Sequence, residues 1–281
     1  MSISILNNLS SIQAQNQMNL NSTALQKVLM QLSSGSRLNS GADDPAALAI
    51  ANGLQANNTA LTQSAQNASD GVGRLQVADG ALSQVTSLLN SAVTLATEAS
   101  NGTLSDAQRA SLDNEFTSIK AEIDRIGSST TYNGAQVFNG TTTQIFMSDG
   151  TSAGSSYIDA TVGSLSSGSI GFSATTATSL TADNLLTASS AQTALTDLTD
   201  AIQNVANDRA KLGADQNRLQ SATNVVNNQA QNLTSAYDNI ASANIATDVA
   251  DMTKYNILQS SGMAALQQSN QAQQAILKLF Q

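Results

Sequence analysis

Leu195-Thr196-Asp197-Leu198-Thr199-Asp200-Ala201-Ile202-Gln203-Asn204-Val205 opens the stretch that decides the fold. Its apolar residues fall at spacings of three and four, and the pattern continues for more than forty residues. Leu198, Val205, Leu212, Leu219, Val226, Leu233 and Ile240 follow one another every seven residues, with Leu195, Ile202, Arg209, Gln216, Thr223, Ala230 and Tyr237 on the companion series. A repeat of seven keeps one narrow seam of an α-helix turned toward a partner, so this segment reads as one long helix packed lengthwise. A second series runs through Leu54, Leu61, Ala65, Ala68, Val72, Leu75, Leu82, Leu89, Ala92, Ala96 and Ala99, interrupted by the polar Asn58, Asp79 and Thr86. Its start is marked locally. Asp44 offers a carboxylate to the first free amides, and Pro45 suits the first helical position because its missing N–H would be unpaired there. From Asp44 to Asn101 the pattern predicts a rod of about 85 Å.

A shorter helix is predicted from Ser105, a candidate cap, to Ile126, with Leu112, Phe116, Ile119, Ile123 and Ile126 on one face and Gly127 as its stop. Glycine and serine are dense from there to Thr181. Asn133-Gly134 and Asn139-Gly140 are tight-turn dipeptides, which predict hairpins and short strands. Tyr132, Val137, Phe138, Ile145, Phe146, Tyr157 and Ile158 are expected to form a small core in an outward-facing insert. The two ends, Ile5 to Leu32 and Asp248 to Gln281, each carry one apolar stripe, including Leu6, Leu9, Ile12, Leu20, Leu25, Val28 and Leu32 at the first. A one-sided helix draws most of its stability from packing, so both ends are expected to be mobile in a monomer and ordered in an assembly. The expected fold is mainly α: a long antiparallel helical coiled-coil bundle with a small β-hairpin region and a minimal outer insert. Its expected divisions are an inner helix and linker (1–42), the first part of a second layer (43–140), a surface insert (141–182), the second part of that layer (183–245) and a C-terminal inner helix (246–281).

Composition excludes most chemistry. The 281 residues carry a formal charge of −9, from 20 acidic and 11 basic side chains, which gives no electrostatic footprint for nucleic acid or anionic lipid. Without histidine or cysteine, the chain lacks imidazole and thiol nucleophiles, disulfides and the usual zinc and haem ligands. Neither cofactor nor metal is expected, and the chain does not read as an enzyme. Charged residues are 11% of the chain, against about 25% in ordinary globular domains. The surface is therefore covered mainly by Asn, Gln, Ser and Thr, which pack readily against copies of themselves. Met1-Ser2-Ile3-Ser4-Ile5 lacks the basic region and apolar run of a cleaved signal, and no stretch has the roughly 18 apolar residues that span a bilayer. Export would need another route, and no membrane insertion is expected.

Asp43 and Asp44 invite a reading as paired catalytic carboxylates, but a helix cap before Pro45 accounts for them without the cleft and perturbed neighbours that acid–base work requires. Gly71 and Gly73 have no following lysine to make a phosphate loop and read as a place of close helix packing or bending. The sequon Asn139-Gly140-Thr141 is expected by chance in so Asn- and Thr-rich a chain.

Leu32-Ser33-Ser34-Gly35-Ser36-Arg37-Leu38-Asn39-Ser40-Gly41-Ala42-Asp43-Asp44-Pro45-Ala46-Ala47-Leu48-Ala49-Ile50 resembles the signature of the bacterial flagellins. Glu122-Ile123-Asp124-Arg125-Ile126 with Tyr132-Asn133-Gly134, Leu212-Gly213-Ala214-Asp215-Gln216-Asn217-Arg218-Leu219, and the tail from Ile257 to Leu279 add to the resemblance, which covers about residues 1–140 and 183–281. It implies a secreted structural subunit that polymerises into the helical swimming propeller, a short form with almost no outer domain. Leu6, Leu9, Leu20, Leu32, Met263, Leu266, Ile276 and Leu279 would pack the filament core, with Ala264, Ala265, Ala272 and Ala275 allowing close approach. The implied partners are other copies of the chain, a flagellar export chaperone, the filament cap protein and the hook-associated junction proteins, with export through the flagellar type III apparatus. In family members seen by the animal Toll-like flagellin receptor, an exposed Arg precedes the residue matching Leu95 by a turn; here Ser91 stands in its place, with Leu95 and Glu115 retained, which implies poor recognition. The alternatives are a hook-filament junction protein and a free-standing adhesin. A metalloprotease insert, known in some flagellins, would need two histidines.

Overall fold

The structure is a computed structural model that describes residues 8–150, 157–171 and 177–279, without the side chains of 273 and 276–279. Its helices are α1 (Leu9–Ser34), α2 (Pro45–Ala99), α3 (Asp106–Ser129), α4 (Ala188–Ala241) and α5 (Ile245–Leu279). Between α3 and α4 lie the strands β1 (Thr131–Tyr132), β2 (Ala135–Gln136), β3 (Thr142–Phe146), β4 (Tyr157–Thr161), β5 (Leu165–Ser166) and β6 (Ser169–Ile170), paired antiparallel as β1–β2, β3–β4 and β5–β6. None of the described helices is long and apolar enough to cross a membrane. The chain divides into two compact units, one of residues 1–56 with 232–281 and one of residues 57–231.

In the larger unit the heptad positions do what their spacing predicts. Leu198, Val205, Leu212, Leu219 and Val226 of α4 are buried, as are Leu61, Leu75, Leu82, Leu89 and Ala96 of α2. The polar interruptions of the two seams meet: Arg209 Nε donates to Asp79 Oδ1 at 2.7 Å and Nη2 to Oδ2 at 3.3 Å. A methyl placed on Gly71 would touch Leu219 Cδ1 at 3.5 Å. Moving from Asp79 back to Gly71 thus corresponds to moving from Arg209 on to Leu219, which makes the pair antiparallel. Phe116, Ile119 and Ile123 of α3 complete the same core.

Both predicted helix starts have the expected chemistry. Asp44 Oδ1 accepts from the amides of Ala46 and Ala47 at 3.1 and 2.9 Å. Ser105 forms a reciprocal capping box with Gln108. Gly127 is not the stop of α3. The helix continues to Ser129, and Gly127 is buried inside it because the Leu165 carbonyl of β5 lies against the position a Cβ would occupy. Burial of Arg109 ties the α2–α3 turn, its Nε donating to Ala99 O at 3.0 Å and Nη2 to Asn101 O at 2.9 Å. The Ala99 carbonyl is among the last of α2, which lack helical partners, and the Asn101 carbonyl lies in the turn beyond it.

Asn133 and Gly134 both adopt left-handed backbone, φ 50° and 76°, and form the β1–β2 hairpin turn that their sequence predicts. The insert lacks the separate core expected for it. Val137, Phe138, Ile145 and Leu165 join the core of α2, α3 and α4, whereas Tyr157 is 52% exposed, its ring edge-on to Phe146 with centroids 5.3 Å apart. Alternation along β4 is the reason: Ile158 and Ala160 face the helices and Tyr157 and Asp159 face out. Polar side chains pin the insert to the helices. Asp124 accepts from Ser167 N and Oγ at 2.6 and 2.9 Å, Asp113 from Leu185 N at 2.7 Å, and Ser64 Oγ donates to Ser148 O at 2.8 Å. Lys120 Nζ donates to Asp183 O at 2.7 Å; the Asp183 carboxyl has one buried oxygen without a partner, and burial, then the nearby Asp197, raises its pKa above the ordinary range.

Candidate assembly surface

Helices α1 and α5 pair antiparallel in the smaller unit. Ser10 Oγ lies 3.1 Å from Ser269 Oγ, Ser11 Oγ donates to Asn270 Oδ1 at 3.4 Å, and Gly262 faces Met18. At the other end of the pair, Ser36 and Ser242 form an isolated antiparallel bridge, Arg37 N donates to Ala241 O at 2.7 Å, and Ala243 N donates to Gly35 O at 3.0 Å. Gly35, with φ 67°, ends α1 in left-handed conformation. Arg37 also donates from Nε and Nη2 to Ile240 O, at 3.2 and 2.8 Å, covering a carbonyl at the end of α4.

Asp43 does not cap α2. Its carboxylate accepts from Asn39 N and Ser40 N at 3.2 and 2.9 Å and meets Lys27 Nζ of α1 at 2.8 Å. The hydrogen bond from Lys27, followed by that from the Ser40 amide, lowers its pKa to about 2. The adjacent aspartates therefore have separate tasks, Asp44 starting α2 and Asp43 fastening the preceding loop to α1.

The polarity of the pair is unusual for a finished helix hairpin. Within α1 only Asn21 and Val28 are buried, while Leu9 is 66% and Leu20 65% exposed, and Ile12, Leu29 and Met30 are exposed too. On α5, Ile245, Val249, Ile257, Leu258 and Met263 are exposed. Polar side chains join the two helices at the end near Asn8, and apolar ones look outward. Exposed apolar surface of this extent is characteristic of interaction faces. Of the positions expected to pack a core, Leu9, Leu20 and Met263 lie on that surface and Leu32 and Leu266 are half-buried. Leu6 is outside the described residues, as are the side chains of Ile276 and Leu279. Ala264, Ala265, Ala272 and Ala275 are exposed.

Ser91 and Glu115 are exposed in the larger unit, and the Ser91 hydroxyl donates back to Ser87 O at 3.2 Å. Leu95 belongs to the core and is 9% exposed. An open groove of about 420 Å³ between α2 and α3 is lined by Gly80, Ala81, Leu88 and Ile126, and its charged rim is the ion pair of Glu122 with Arg125. That rim holds no nucleophile activated by a base. Sequence reasoning missed the pairing of Asp79 with Arg209, the cross-ties of Arg37 and Arg109, and the task of Asp43. The first had a signal: each seam contains one charge of opposite sign.

Two family models match the chain, the bacterial flagellin N-terminal helical region over residues 5–143 and the bacterial flagellin C-terminal helical region over residues 195–280. A flagellin of Halalkalibacterium halodurans is 32% identical over 277 residues, spanning 98% of this chain and 99% of its own. One of Listeria monocytogenes is 32% identical over 280 residues, spanning 97% and 98%. The structure of a provisionally named flagellar hook-associated protein of Vibrio parahaemolyticus superposes with a TM-score of 0.58 over 71% of this chain and all of that one, at 17% identity, a likeness of fold alone.

Proposed function

Because this chain belongs to the bacterial flagellin family and is a structural subunit of the flagellar filament, we propose that its α1–α5 pair is the surface through which copies join. The observation that carries this reading is the outward apolar side chains of that pair. Leu9, Leu20 and Met263 gain burial only when a neighbour covers them, with roughly 25 cal/mol favouring each Å² of apolar surface removed from water. In this reading Leu6, Leu32, Leu266, Ile276 and Leu279 belong to the same inner layer, α2, α3 and α4 form the layer outside it, and residues 141–182 lie on the filament surface. The chain is exported without cleavage by the flagellar type III apparatus, its C-terminal helix held by an export chaperone, and is added beneath the cap protein above the hook-associated junction proteins. It works by packing and carries no catalytic function.

Near-full-length identity to flagellins favours a filament subunit over a junction protein, whose fold is similar. Electron microscopy after dissociation and salt-induced reassembly tests the surface. Filaments from the full chain and only monomer from a chain lacking residues 253–281 are expected. Monomer from both, even with seeds, overturns the reading and favours the junction protein or adhesin.

A further inference from the structure

The chain contains four Asn-Gly pairs, at 52–53, 101–102, 133–134 and 139–140. Glycine leaves its own amide nitrogen unhindered toward the preceding asparagine side chain, so each pair has the same intrinsic chemistry. Their surroundings differ. Asn52 lies within α2, where regular helical hydrogen bonding holds the backbone. Asn133 is fixed in left-handed conformation in a two-residue hairpin turn. Asn139 has the same turn as Asn101, its Oδ1 accepting from Thr141 N at 3.1 Å, but its backbone is pinned by the bridge to Ser164.

Asn101 and Gly102, in the α2–α3 turn, are exposed, and a Cβ on Gly102 would meet no atom within 4 Å. Thr103 N donates to Asn101 Oδ1 at 3.1 Å, the turn that Asn139 also makes, and a second set of donors is found at Asn101 alone of the two. Arg109 Nη2 donates to Asn101 O at 2.9 Å and Leu104 N to the same oxygen at 3.3 Å. That oxygen belongs to the peptide whose nitrogen is the nucleophile, so a guanidinium on it stabilises the anion formed when the Gly102 N–H loses its proton. Arg109 is 7% exposed and is held in place by its bond to Ala99 O and by the ion pair of its Nη1 with Asp106 Oδ1 at 3.4 Å.

We propose that Asn101-Gly102 is a built site of self-modification, at which Arg109 promotes closure of a cyclic imide. Water takes the Gly102 amide proton, and the nitrogen forms a bond to Asn101 Cγ. The bond from Cγ to the side-chain nitrogen breaks, and that nitrogen leaves as ammonia after gaining a proton from water. A water molecule then opens the imide at either carbonyl, leaving an aspartyl or isoaspartyl residue at position 101. The net change consumes one water, releases one ammonium ion and adds one negative charge to the turn. Arg109 is a positioning and activating residue here, since it acts on the reacting peptide without exchanging atoms with it.

Peptide mass spectrometry of the full chain, incubated near neutral pH at physiological temperature, follows all four pairs at once. In the native protein position 101 is expected to convert first, and faster than the same position in urea, while the other three convert more slowly folded than unfolded. Arg109→Met is expected to slow position 101 by roughly tenfold, the worth of one charge-assisted hydrogen bond. A merely structural Arg109 predicts the opposite, because loosening the turn frees an Asn-Gly pair. If circular dichroism shows that variant to be unfolded, the native-against-urea comparison of the unsubstituted chain decides alone. Conversion at 101 no faster in the native chain than in urea, or no faster than at 133, overturns the proposal.

Discussion

Gly127 should reverse the usual effect of adding a methyl to a helix. In a helix interior Gly→Ala ordinarily stabilises by about 1 kcal/mol, because alanine loses less backbone freedom on folding. At Gly127 the new Cβ would collide with the carbonyl of Leu165 in β5, and a backbone atom cannot rotate aside. Overpacking of that kind costs about 1–3 kcal/mol. Combined with the helix gain of about 1 kcal/mol, Gly127→Ala is expected to destabilise by up to about 2 kcal/mol. The same substitution elsewhere supplies the controls. Gly80 and Gly213 have no atom within 4 Å of the added methyl, so each variant is expected to gain about 0.5–1 kcal/mol. At Gly71 the methyl meets Ile145 Cδ1, the end of a side chain that can turn, so the two effects should nearly cancel. For a unit of this size 1 kcal/mol moves Tm by about 2–4 °C. Scanning calorimetry and circular dichroism on monomer in low salt should order the variants Gly80 and Gly213 above the unsubstituted chain, Gly71 beside it and Gly127 below. A Gly127→Ala chain that melts with the Gly80 and Gly213 variants would refute the close approach of β5 to α3.

A double-mutant cycle over Asp79→Ala and Arg209→Ala is expected to give a coupling of about 0.5–1 kcal/mol, since both side chains are 38% exposed. Asp43 should titrate near 2 by carboxyl NMR and return toward the ordinary range in Lys27→Ala. Because its folded pKa is depressed, its contribution to stability is complete above the unfolded pKa near 3.8 and is lost as pH falls toward 2. Asp183 has the opposite sign: its raised pKa means that the charged form burdens the fold. Asp183→Asn should therefore raise Tm at neutral pH, and the advantage should disappear below the ordinary value of 3.8. In a reporter assay for the animal flagellin receptor, Ser91→Arg is expected to raise the response, and no rise would count against a role for that position.

Local chemistry was readable from sequence. The carboxylate and proline of Asp44-Pro45, the cap at Ser105 and the Asn133-Gly134 turn each involve residues within four positions of one another, and each formed where expected. The heptads identified the buried faces of α2 and α4 because burial along a helix obeys its period. What escaped depends on residues distant in sequence. Gly127 looks like a helix stop until Leu165 is found against it. Tyr157 looks like core until the β3–β4 register assigns faces, and Asp43 looks like a cap until Lys27 arrives from another helix. Of the candidate assembly surface the terminal stripes were visible, but not that serine and asparagine join the two helices at the end near Asn8 while Leu9 and Leu20 face outward.

The ion pair of Asp79 with Arg209 also gives the α2–α4 rod a mechanical direction. If one helix slid a heptad past the other, about 10 Å, the outcome would depend on which way it went. One displacement brings Asp79 opposite Ile202 and Arg209 opposite Val72, stranding both charges on greasy partners. The other brings Asp79 opposite Gln216 and Arg209 opposite Thr86, which offer an amide and a hydroxyl. A slip of one heptad thus leaves the two charges worse placed in one sense than in the other, like a pawl seated on a toothed rack.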